Sequence, residues 1–167
     1  MNFSATLIFN LMLWISTTTG YVIPDPPNIG YKTGPELTHM LYGCEKPNEY
    51  TKEICEKVER GETRTERTLA IYNHDTQTIY MLKGLDELYD KTIVRSVLLH
   101  ELIHHLQYQN NVNFRCLGKY EKEAYALQDN WLEEQGYAPV TEVLDLNPLY
   151  LMMIFQCGED LYYQGLD

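Results

Sequence analysis

The spacing of apolar positions shifts between two and three-to-four along the chain, and each regime predicts an element. Ile93, Val94, Val97, Leu98, Leu102, Ile103 and Leu106 form a band broad enough for a helix buried on most sides. It predicts a helix from about Asp90 to about Gln109, capped by Asp90 or Thr92. Upstream, the runs Arg67-Thr68-Leu69-Ala70-Ile71-Tyr72-Asn73 and Thr78-Ile79-Tyr80-Met81-Leu82 alternate with period two around the polar turn His74-Asp75-Thr76-Gln77, which predicts a β-hairpin. Downstream, Tyr120, Ala124, Leu127 and Trp131 share one face of a second helix that starts near Lys119 and breaks at Gly136.

The remaining segments carry punctuation rather than period. Pro24-Asp25-Pro26-Pro27-Asn28-Ile29-Gly30 reads as an extended lead-in, since so many prolines suit neither a helix interior nor a central strand. A short helix over 33–42 follows, with Pro35 early and Gly43 after its last turn. Residues 44–61 read as loop plus a short helix, and residues 85–90 as a linker or helical turn. Asn147-Pro148 opens a last apolar helix. The pattern predicts an α+β fold: a hairpin or small sheet packed on the long helix and on the helix after it.

The first twenty residues have an apolar centre followed by Ser16-Thr17-Thr18-Thr19-Gly20. That is the layout of a secretory signal peptide, so we expect a leader at 1–20 and a single domain at 21–167. Export agrees with the cysteines. Cys44, Cys55, Cys116 and Cys157 are even in number and lack Cys-x-x-Cys spacing, so two disulfides are expected: Cys44 with Cys55 and Cys116 with Cys157. The protein is therefore placed outside the cytoplasm, periplasmic or secreted, with no membrane association after leader removal. Acidic residues outnumber basic ones by 24 to 13, giving a net charge of -11 with no Lys/Arg block, which excludes an electrostatic nucleic-acid footprint.

The long helix contains His100-Glu101-Leu102-Ile103-His104. Residues four apart lie on one helical face, so His100 and His104 can present two imidazoles to one ion, with Glu101 about 100° round the helix beside it. Burying these groups on an apolar helix demands partners, and a zinc ion would satisfy them. His105 turns off that face and reads as a supporting or surface group. His39 and the tip residues His74 and Asp75 read as surface and turn residues. A catalytic zinc needs a third ligand and an open position. The continuation His-x-x-Gly-x-x-His is absent, because residues 107–111 are Gln, Tyr, Gln, Asn and Asn. On the second helix, Glu123 beside small Ala124 is preferred, while Glu121 points about 200° away from it and reads as solvent-facing.

His100-Glu101-Leu102-Ile103-His104 followed by Glu123 in Glu123-Ala124-Tyr125-Ala126-Leu127-Gln128 resembles the gluzincin branch of zinc metallopeptidases, in which a Glu on a second helix is the third ligand. The wider block, with His105-Leu106-Gln107 and Cys116, looks like a family of small exported bacterial zincin-like proteins without an assigned function. The resemblance implies a compact zincin-like domain, Zn2+ held by His100, His104 and Glu123, Glu101 as general base, and a peptide or protein substrate. Larger gluzincins carry an Asp one turn after the Glu ligand; here that place holds Leu127, with Gln128 or Asp129 as substitutes. Tyr72, Tyr80 and Tyr125 are the candidates for stabilising an oxyanion. The expected activity is hydrolysis of a peptide bond by metal-activated water, and the alternative is an exported zinc-binding module without catalysis.

Overall fold

A computed structural model describes residues 3–62 and 68–157. Arg67, the first residue of the expected hairpin, and residues 158–167 of the expected domain lie outside them. Eight helices and three strands are present among the described residues, an α+β arrangement. In chain order they are α1 (Ala5–Thr19), β1 (Asn28–Lys32), α2 (Gly34–Leu41), α3 (Lys52–Glu59), β2 (Ala70–Asn73), β3 (Thr78–Leu82), α4 (Leu85–Leu88), α5 (Lys91–Gln109), α6 (Leu117–Glu134), α7 (Val140–Val143) and α8 (Pro148–Ile154).

The expected hairpin is present, β2 pairing antiparallel with β3, and a third strand joins it. β1 runs parallel to β3 on its other side, giving the order β1-β3-β2. The lead-in thus ends in an edge strand, the position that prolines permit. Ile79 and Met81 turn from β3 into the core, which places the sheet face against α5.

α5 is the axis of the molecule. Asp90 caps it, its side chain accepting from the amides of Thr92 and Ile93 at 2.7 and 3.0 Å. Val94, Val97, Leu98, Leu99, Leu102, Ile103 and Leu106 are buried, as a helix packed on several sides requires. The sheet covers one side, α6 another, and α1 a third, with Ile8, Leu11, Met12 and Ile15 buried in the same core. The stretch expected to be a leader is therefore packed in this structure as a core helix. Both expected disulfides are formed, Cys44–Cys55 and Cys116–Cys157. Among the described residues no helix is long and apolar enough to cross a membrane.

Candidate metal centre

The i,i+4 spacing on α5 does bring the two imidazoles together: His100 Nε2 and His104 Nε2 are 3.1 Å apart. The third group is Glu121 of α6. Its Oε2 is 3.4 Å from His100 Nε2 and its Oε1 is 3.4 Å from His104 Nε2. His100, His104 and Glu121 form the one His/Cys/Asp/Glu group among the described residues able to hold a metal ion.

Glu123, expected as the third ligand, lies elsewhere: its Oε2 accepts from Tyr21 Oη at 2.7 Å and from Gln107 Nε2 at 2.8 Å. The reason is helical phase. Counting only Tyr120, Ala124, Leu127 and Trp131 centres the buried face too far to one side. Gln128 and Leu132 are also buried, and they shift the centre towards Glu121. Glu121 then falls about 60° from Ala124 inside the buried arc, whereas Glu123 falls about 100° to the other side. The buried Gln128 was the signal that would have corrected the choice.

Hydrogen bonding fixes the imidazole tautomers. Ser96 Oγ donates to the Ile93 carbonyl at 2.8 Å, so it receives Gln128 Nε2 at 3.2 Å as an acceptor. The Gln128 Oε1 must then face His100 Nδ1, 3.0 Å away, and that nitrogen carries the hydrogen. Gln107 is locked in the same way, its amide donating to Glu123 and, at 3.2 Å, to the Tyr120 carbonyl. Its Oε1 accepts from His104 Nδ1 at 2.8 Å. Both imidazoles therefore aim Nε2 at a common point. Of the two substitutes weighed for the missing Asp, Gln128 is the one that reaches a histidine; Asp129 accepts from the Val140 amide instead.

Two lone pairs facing each other at 3.1 Å beside a carboxylate call for a positive charge between them. In the metal-free protein a proton fills that role. Burial would lower the pKa of His104, but the hydrogen bond and charge of Glu121 outweigh it and push His104 up to about 9. Burial would likewise raise Glu121, yet its hydrogen bonds to His100 and His104 hold it well below the usual carboxylate range. A metal fits the same space. Ligands of a tetrahedral ion with bonds of roughly 2.0–2.1 Å stand about 3.3 Å apart, and the separations here are 3.1 and 3.4 Å.

Glu101 is 8% exposed, and burial raises its pKa while the charges of His100 and His104 pull it back. Its carboxylate accepts from the backbone amide of Tyr72 in β2. That amide faces away from β3: the Leu69 carbonyl pairs with Leu82 of β3, so by period two Ala70 and Tyr72 direct their backbone groups to the outer edge of the sheet.

A family model for a domain of unknown function, DUF6647, matches residues 2–160. The chain belongs to the DUF6647 family. Comparison with curated proteins and comparison with solved structures both gave no match. The family match spans every element of this DUF6647 domain from α1 to α8, and so includes both glutamates and the histidine pair.

Of the three tyrosines considered for the DUF6647 site, only Tyr125 stands at it. Its ring centroid is 4.5 Å from that of His100, and its phenol feels the charges of Glu121 and Glu101. Burial, reinforced by those charges, raises its pKa and keeps it protonated. The Tyr72 hydroxyl is committed to His105 Nδ1 at 3.0 Å, and Tyr80 lies beneath Lys32, 5.2 Å from its ammonium. His105 is fully buried rather than at the surface: its Nε2 donates to the Asp25 carbonyl at 2.9 Å, tying the lead-in to α5 and β2. His74 and Asp75 form an exposed pair at the hairpin tip, 3.2 Å apart.

Proposed function

We propose that this DUF6647 domain is an exported zinc-dependent hydrolase of peptide bonds, with His100, His104 and Glu121 as the metal ligands and Glu101 as general base. The observation that carries the reading is the pair of Nε2 atoms 3.1 Å apart, each with its Nδ1 hydrogen held by a buried glutamine, facing one carboxylate. Three acceptors and no donor at one point is a cation site by its chemistry. Two imidazoles and a carboxylate suit zinc and leave a position for water. Zinc in such a site supplies a Lewis acid for a carbonyl oxygen and acidifies a water molecule.

The chain's own residues supply the rest. Glu101 lies beside the ligand pair without belonging to it, and it takes the proton of the attacking water and returns it to the leaving nitrogen. Tyr125, protonated and with its ring against His100, is the hydrogen-bond donor we assign to the reacting carbonyl. The outer edge of β2 offers the backbone groups of Ala70 and the carbonyl of Tyr72 to an extended peptide, while the Tyr72 amide is taken up by Glu101. Two disulfides support export to an oxidising compartment.

Zinc quantitation together with peptide-library digestion tests this. The wild-type protein is expected to bind one zinc and to cut. Glu101→Gln should keep zinc and lose about 10²–10⁴ of the rate, the usual weight of a general base. Stoichiometric zinc with no cleavage across the library would favour the non-catalytic module, and absence of zinc would sink both.

A further inference from the structure

His104 is held by a chain of hydrogen bonds that begins outside the α5–α6 pair. Gln107 receives His104 Nδ1–H, Glu123 receives Gln107 Nε2–H, and Tyr21 Oη donates to the same Glu123 oxygen at 2.7 Å. Tyr21 is the second residue after α1. Its position is fixed from both sides. Gly20 closes α1 in the left-handed conformation (φ 81°), its amide bonding the Ser16 carbonyl at 2.8 Å, while Ser16 Oγ donates to the Tyr21 carbonyl at 2.6 Å. One residue on, the backbone of Val22 is clasped by the side-chain amide of Asn110, the residue that caps the end of α5, at 2.8 and 2.9 Å.

α1 itself is built as a core helix. Met12 and Ile15 are 1% and 0% exposed, Ile8 and Leu11 are buried beside them, and Trp14 Nε1 donates to Glu134 at the far end of α6 at 2.7 Å. Ser4 caps its start. A segment that is discarded has no need of a cap, a closed C-terminus and four side chains in the common core. The family match, which begins at residue 2, also takes in the helix.

We propose that α1 is a permanent brace of the metal centre, retained in the mature protein, and that Tyr21, through Glu123 and Gln107, is the positioning residue that aims His104 Nε2. The proposal rests on the zinc reading for the purpose of the brace, but not for its existence. Glu123 thereby acquires a role in place of ligation: as an acceptor on both sides, it forces the Gln107 amide to present its oxygen to His104. Without Tyr21 and Glu123, nothing but the Tyr120 carbonyl opposes a flip of that amide, which would turn a donor towards Nδ1 and the Nδ1-hydrogen tautomer would be lost.

The test uses the full chain. Intact mass of the purified protein gives its first residue, chelator competition gives zinc affinity, and nitrogen-15 NMR of the metal-free protein, taken at a pH where His104 is neutral, reads the His104 tautomer. The expected results are a mature chain that contains residues 5–19, an Nδ1-protonated His104, and, for Tyr21→Phe, loss of that tautomer preference with zinc affinity weakened about tenfold, the lower end for an outer partner of a metal ligand. Glu123→Gln should do the same, and its loss combined with Tyr21→Phe should not be additive. A mature chain beginning at Tyr21 would overturn the proposal, as would a Tyr21→Phe protein with wild-type tautomer and affinity. If wild-type protein binds no zinc yet Tyr21→Phe still changes the His104 tautomer, the brace stands and the zinc reading falls.

Discussion

Glu121 and Glu123 stand two positions apart on α6 and so point about 200° from each other, which makes their substitutions separable. Glu121→Ala removes the carboxylate that faces both Nε2 atoms at 3.4 Å and is expected to abolish stoichiometric zinc. Glu123→Ala leaves all three facing atoms in place and should lower zinc affinity by about 10–100-fold without abolishing it. Equilibrium dialysis of the two variants decides the assignment, and equal loss in both would refute it. The pH dependence follows from the same carboxylate. In the metal-free protein His104 titrates at about 9, so below that pH an entering ion must displace a proton from it. Apparent affinity should therefore rise about tenfold per pH unit as pH increases towards about 9 and level off above it, a sign checked by titration at three pH values. Reading His100 and His104 as a pair needed only their spacing on an apolar helix. Choosing between the glutamates needed the phase of the buried face, and that was set by Gln128 and Leu132, residues whose burial composition does not announce.

At the level of elements, the apolar periods of α5, β2 and β3 were legible because each buries one continuous face. β1 was not, since its hydrogen bonds come from a distant partner, β3, and its sequence, Asn28-Ile29-Gly30-Tyr31-Lys32, has no strong alternation. The central apolar run of α1 reads as a leader, and that run looks the same whether it is threaded through a translocon or laid on α5. In this structure it packs on α5 and reaches α6 through Trp14 and Glu134. The start of α6 shows how tightly such partners fit. A Cβ on Gly118 would stand 2.6 Å from the Ile154 carbonyl oxygen and 2.8 Å from the Phe155 carbonyl carbon, both backbone atoms at the end of α8. Gly118→Ala must push α8 outward, and overpacking of this kind costs about 1–3 kcal/mol. A lower urea midpoint with an unchanged slope is the expected result, and a midpoint equal to wild type would show that α8 yields freely.

Across the whole molecule the two disulfides have unequal consequences. Cys44–Cys55 spans 11 residues and staples the region of α2 and α3, neither of which carries a residue of the metal centre. Cys116–Cys157 spans 41 residues, and Cys116 is the cap position of α6, five residues before Glu121. It also returns α8 to the site, where Phe155 packs against Tyr125 with ring centroids 5.8 Å apart. Loop-closure entropy assigns about 3 kcal/mol to the short loop and about 4 kcal/mol to the long one, so on stability alone the two should look alike. Zinc separates them. An ion held by α5 and α6 would bind only the folded chain and would add about 2.7 kcal/mol at a hundredfold excess over Kd, provided α6 keeps its phase. Replacing Cys44 and Cys55 by Ser should lower the urea midpoint yet preserve the full increment from zinc. Replacing Cys116 and Cys157 frees the first turn of α6 and the cover over Tyr125, so both the metal-free midpoint and the zinc increment should fall. Equal zinc increments in the two double variants would show that the α5–α6 contact alone sets the geometry of Glu121, with no part played by the C-terminal staple.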